Sequence, residues 1–229
     1  MKKFWNFLEN EETKESELIF NGPISEETWY GDEITPAAFR NELNKINGDL
    51  TVWINSPGGD VFAASQIYTM LCDHAGKVTV KINGIAASAA SVVAMAGDET
   101  LIAPTAMIMI HDPSTLAYGN KADMKKAIEL LDEVKESIIN AYEKKTSLSR
   151  EKIARMMSDE TWLNAKQAHE LGFADGILFA ENSDTVSDSL QFATGSSIKG
   201  FLNKISAPAP KQSGVQIEQL YKRLDLLKY

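Results

Sequence analysis

Leu50-Thr51-Val52-Trp53-Ile54-Asn55, then Ser56-Pro57-Gly58-Gly59, then Asp60-Val61-Phe62-Ala63-Ala64: an alternating apolar run gives way to a turn and then to a helical pattern. The helix reads from Asp60 to about Asp73 and is ended by Gly76. Alternation then returns from Lys77 to Ile82, with Val78, Val80 and Ile82 on one side. Upstream, Glu17 to Asn21 reads as a strand closed by Gly22-Pro23. Thr35 and Pro36 supply the N-cap and first residue of a helix whose apolar face is Phe39, Leu43 and Ile46, with Gly48 as its stop. Downstream, a run of small residues opens a helix near Ser88, and Leu101-Ile102 and Ala106 to Ile110 read as further strands. Strands alternating with helices predict an α/β sheet built from crossover units.

Beyond His111 the pattern is helical. Residues 121–145 place Met124, Ala127, Ile128, Leu131, Val134, Ile138 and Tyr142 at spacings of mostly three and four, with Lys, Asp and Glu between them. A helix of that length is ~37 Å long, enough to protrude from a small domain. Ser149 caps a short helix through Met157, Asn164 with Gln167 forms a capping pair for a helix ending at Gly172, and Asp175 to Ala180 reads as a last strand. The expected organisation is an N-terminal arm over 1–15 and a domain over 16–180. A linker over 181–214 contains Ala207-Pro208-Ala209-Pro210, and a short amphipathic helix over 215–229 carries Ile217, Leu220, Leu224 and Leu227.

The chain has 229 residues and a net charge of -9, which argues against nucleic acid or an anionic membrane as its main partner. Lys2 and Lys3 are followed by only a brief apolar run before Glu9, which is no secretory signal, and Val80 to Gly97 is too short and too rich in Ala, Gly and Ser to span a membrane. A single cysteine, Cys72, precludes an internal disulfide, fits a reducing, cytoplasmic compartment and reads as a core thiol.

The chemistry concentrates in Asn83-Gly84-Ile85-Ala86-Ala87-Ser88-Ala89-Ala90-Ser91 and in Met109-Ile110-His111-Asp112-Pro113. A serine that attacks a carbonyl needs a base for its proton and N–H groups for the oxyanion. Ser88 stands where a helix begins, Gly84 before it is free to adopt an unusual backbone, and the N–H of Ala89 is placed to face an oxyanion. Ser91 is a rival nucleophile, deeper in the helix. Gly58-Gly59 lets backbone approach a ligand, which makes the Gly59 N–H a second oxyanion donor. Of the three histidines, His74 and His169 sit at helix ends, whereas His111 ends a strand, where sites in open α/β sheets form. Asp112, beside His111, is expected to point away. Asp159 and Glu160 are the candidates for an acid that orients the imidazole.

Asn55-Ser56-Pro57-Gly58-Gly59, Gly84-Ile85-Ala86-Ala87-Ser88 and Met109-Ile110-His111-Asp112-Pro113 resemble, in order, the signature segments of the Clp proteolytic subunit family. The likeness runs from about Ile19 to Ile177, through Ala168-His169-Glu170-Leu171-Gly172-Phe173-Ala174-Asp175. Ile24-Ser25-Glu26-Glu27-Thr28-Trp29, Gly31-Asp32-Glu33-Ile34-Thr35-Pro36 and Ser158-Asp159-Glu160-Thr161-Trp162 resemble more closely the Clp-like head maturation (prohead) proteases of tailed phages. The resemblance implies a Clp/crotonase-like spiral of repeated β-β-α units with a long protruding helix. It implies a serine endopeptidase with Ser88 as nucleophile, His111 as base, and the N–H groups of Gly59 and Ala89 as oxyanion hole. The family's aspartate position falls on Glu160, with Asp159 one residue off. It further implies protein substrates, here capsid or scaffold proteins, and homo-oligomeric rings stacked through 121–145. No cofactor or metal is implied, and the location would be the host cytoplasm or the prohead. An unfoldase partner has no matching residue pattern. A housekeeping ATPase-coupled subunit, a crotonase-type thioester enzyme and an inactive ring scaffold are the alternatives.

Overall fold

Alternation in the strands becomes two distinct sheet faces. The computed structural model describes residues 7–9, 16–28 and 33–180; the linker and C-terminal helix expected over 181–229 lie outside the described residues. The strands are β1 (Phe7–Glu9), β2 (Ser16–Asn21), β3 (Leu50–Ser56), β4 (Val78–Ala87), β5 (Glu99–Ile102), β6 (Met107–Ile110), β7 (Thr161–Asn164) and β8 (Gly176–Ile177). The sheet runs β1-β2-β3-β4-β5-β8, with β6 bonded to β4 and to β7. Every pair is parallel except β1–β2 and β6–β7. The arm expected at 1–15 therefore contributes a strand along β2.

Register aligns the apolar positions into rows. Leu18, Val52 and Val80 form one row, and Phe20, Ile54, Ile82 and Ile102 the next; all seven are buried. Helices α1 (Pro36–Leu43), α2 (Val61–Cys72) and α3 (Ala89–Ala94) supply Phe39, Ala63, Ala64, Ile67, Leu71 and Val93 to the same core. The opposite face is half-buried and carries Trp53 with the Lys81 ammonium 5.0 Å above its ring. Cys72 is exposed, contrary to the expected core thiol. The buried face of α2 is Ala63, Ala64, Ile67 and Leu71, and one residue beyond Leu71 the helix has turned by ~100° toward solvent.

β4 is the branching strand. Its first half, Thr79 to Ile82, pairs with β5, and its last residues, Ile85 to Ala87, pair with β6. Gly84 lies at the branch in extended backbone rather than an unusual conformation. Its need for a missing side chain is steric: a Cβ there would stand 2.4 Å from Asn55 Oδ1. β4 thus continues past the expected end at Ile82 and carries the chain directly into Ser88. The last expected strand shortens to Gly176–Ile177, because the chain turns away through Phe179, at φ 64°.

Helix α4 (Lys121–Thr146) is 26 residues long and begins in a capping box between Asn120 and Asp123. Its buried residues all lie at Val134 or later, while Ile128 and Leu130 in its first half are exposed. Helices α5 (Arg150–Ser158) and α6 (Ala165–Glu170) complete the described chain. Among the described residues, no helix is long and apolar enough to cross a membrane.

Candidate active site

Ser88 and His111 meet because β4 and β6 run parallel and end together. Ala87 pairs with Met109, so the residues just past each strand emerge at the same sheet edge. There His111 Nε2 lies 2.7 Å from Ser88 Oγ, within hydrogen-bond reach for proton transfer. Ser88 is the N-cap of α3 with φ 54° and ψ -127°, outside the main regions open to an L residue. Its neighbours hold it there. The Ser88 N–H donates to Met109 O at 2.9 Å, and its carbonyl accepts the Ser91 N–H at 2.9 Å. The arrangement presents the hydroxyl at the head of a helix, where backbone N–H groups lack intrahelical acceptors.

The Ser-Pro-Gly-Gly turn closes against the nucleophile. A Cβ on Gly58, whose φ is 89°, would stand 2.8 Å from Ser88 Cβ and 2.5 Å from Ala87 O. The Gly58 N–H donates to Ser56 Oγ. Gly59 forms a parallel bridge with Ile24, in which the Ile24 N–H bonds Gly58 O and the Asp60 N–H bonds Ile24 O. The bridge uses the amides on either side of Gly59, so its own N–H faces away from Ile24. Gly59, Ser88, Ala89 and His111 line one cleft of about 240 Å³, with Val61, Phe62, Val92, Leu131, Val134, Ile138 and Tyr142 among its apolar walls and Asp60, Ser114 and Thr115 on its polar side. A larger groove of about 580 Å³ between α1 and α2 shares no residue with it.

The acid residues are placed less decisively. Asp112 points away from the imidazole: Oδ2 accepts from Ser158 Oγ at 3.0 Å and Oδ1 lies 2.7 Å from Lys135 Nζ. That second contact is an ion pair, not a directed hydrogen bond. Asp159 is the C-cap of α5. Glu160 accepts from Trp162 Nε1 at 3.3 Å, and its φ is 48°. Neither carboxylate hydrogen-bonds His111 among the described residues. His74 is engaged by Gly48 O and His169 by Ala174 O. Ser91, the rival nucleophile, is fully buried with its hydroxyl on Ser88 O and Tyr142.

Sequence reasoning missed the strand β7 and the partners behind the dyad, Ser91 with Tyr142 and Asp112 with Lys135 and Ser158. One signal was available for the first pair. Tyr142 sits on the apolar stripe of α4, and a phenol facing a core needs a polar partner there.

The family model described as Clp protease matches residues 8–181. An ATP-dependent Clp protease proteolytic subunit 1 from Chlamydia muridarum is 30% identical over 186 residues, covering 80% of this chain and 96% of that protein. The protein of the same description from Chlamydia trachomatis is 28% identical over the same shares. An ATP-dependent Clp protease proteolytic subunit from Deinococcus radiodurans is 30% identical over 132 residues, covering 57% of this chain and 65% of that one. The match spans every element that carries Ser88, His111 and the glycine turn, and on that ground the chain belongs to the Clp protease family of serine peptidases.

Proposed function

We propose that the chain is a serine endopeptidase that works in a ring of identical subunits and processes capsid or scaffold proteins during phage head maturation. The observation that carries the catalytic part is the 2.7 Å contact between Ser88 Oγ and His111 Nε2 beside the glycine turn. Ser88 Oγ attacks the scissile carbonyl carbon as His111 takes its proton, and the N–H groups of Gly59 and Ala89 receive the oxyanion. His111 then gives that proton to the leaving amine, and water attacks the acyl-enzyme by the same route in reverse. Glu160 is the third member. The choice rests on the resemblance, in which the family's aspartate position falls on Glu160, with Asp159, one residue off, as its rival.

The ring is supported by the first half of α4, which has no buried residue and leaves Ile128 and Leu130 exposed. The phage reading rests on Ile24 to Trp29, Gly31 to Pro36 and Ser158 to Trp162, which resemble segments of the head maturation proteases. A second reading, an ATPase-coupled bacterial subunit, is favoured by the descriptions of the relatives. The full chain is assayed alone on a folded phage scaffold protein, and with a Clp-type unfoldase and ATP on a tagged folded protein. Limited cleavage of the scaffold without ATP is the expected result. Degradation only with unfoldase and ATP would transfer the chain to the second reading.

A further inference from the structure

Two buried hydroxyls stand behind the nucleophile and take no part in the proton transfers above. Ser91 and Tyr142 are 0% and 1% exposed. Ser91 Oγ lies 2.6 Å from the Ser88 carbonyl oxygen and 2.8 Å from Tyr142 Oη. A carbonyl only accepts, so the single proton of the Ser91 hydroxyl goes to Ser88 O. Tyr142 must then be the donor to Ser91 Oγ. Burial pushes the Tyr142 phenol well above its ordinary value of 10.0, and the bond to Ser91 offsets only part of that, so the donor keeps its proton near neutrality. The direction is fixed: Tyr142 O–H to Ser91 Oγ, Ser91 O–H to Ser88 C=O.

That carbonyl belongs to the same peptide group as the Ala89 N–H. Hydrogen bonds accepted at an amide oxygen draw density across the resonant C–N bond, and a chain of such bonds reinforces itself. The N–H at the other end becomes a stronger donor. The same bonds hold the plane of this peptide, which matters at a serine with φ 54° and ψ -127°. We propose that Tyr142 and Ser91 are positioning residues for the oxyanion hole, a two-hydroxyl relay from α4 that orients and polarises the Ser88–Ala89 peptide. The inference rests on the reading of Ser88 as nucleophile and the Ala89 N–H as oxyanion donor.

The test uses the full chain as wild type, Tyr142→Phe, Ser91→Ala and the double variant, with competent serines counted by end-point fluorophosphonate adduct mass. If wild type takes no adduct, the nucleophile reading and the relay fall together; if it does, the variants judge the relay alone. Each single variant is expected to lose about tenfold in kcat per labelled serine, less than the ~100-fold of deleting a donor outright, with KM within about twofold. Inhibition by a peptide aldehyde, whose adduct places an oxyanion in the hole, weakens by the same factor. The double variant should be no slower than Ser91→Ala, because the two hydroxyls act in series. Unchanged kcat per serine, a loss carried in KM, or losses that multiply would overturn the relay. Should Tyr142→Phe not fold, Ser91→Ala with the aldehyde decides.

Discussion

Ser88 holds a backbone conformation that few serines adopt, and the residues around it explain why it stays there. Gly58 is the tightest of these: its φ is 89° and a side chain would run into Ala87 O and Ser88. Gly58→Ala is therefore expected to destabilise the fold by ~2 kcal/mol or more and to lower turnover per folded molecule, read by urea unfolding and peptide hydrolysis. The acid is a choice between neighbours. Glu160→Gln is expected to cut kcat by about 100-fold or more, and Asp159→Asn to leave it within about threefold; the reverse ranking would assign the acid to Asp159. At this scale the sequence was most readable where chemistry is encoded in residue type. Ser88, His111 and Gly59 stood out by motif and meet in one cleft. The relay behind them was not legible, because Ser91 and Tyr142 are far apart in the chain and only the packing of α4 brings them together.

Helices and strands were legible where caps and periodicity agree. Thr35, Ser149 and Asn164, expected as caps, do cap the helices that follow them, whereas Asp60 and Asn120 cap theirs without having been read as caps. Strand β7 was hidden, since Thr161-Trp162-Leu163-Asn164 has too few residues to alternate and exists only through its pairing with β6. Helix α4 was expected by its stripe, yet only its second half is packed. Lys135 marks that packed portion, joining α4 to Asp112 and Ser158 beside His111. Lys135→Met is expected to cost about 1 kcal/mol, a modest figure because both partners are partly exposed, and to lower Tm by ~2–4 °C; raised salt should shrink the gap to wild type.

The described residues form a sheet whose branching strand carries the nucleophile, with α4 closing the cleft, and two phenols, Tyr142 buried and Tyr68 half-buried, make their stability sensitive to high pH. Tyr142 is raised above 10.0 by burial, and Tyr68 is pushed up to about 12 by burial and by Cys72 beside it. Folded values above the unfolded one mean full stability below pH 10.0, and a loss that grows as pH rises past it while the unfolded chain gives up its protons first. Urea midpoints at pH 8, 10 and 11 are expected to fall across the last interval, with a shallower fall for Tyr142→Phe. Most direct of all is intact mass after fluorophosphonate treatment of wild type and Ser88→Ala, both in the assembled state. One adduct on wild type and none on the variant is the expected result; an assembled wild type that takes no adduct, or a Ser88→Ala chain that still takes one, would contradict Ser88 as the nucleophile.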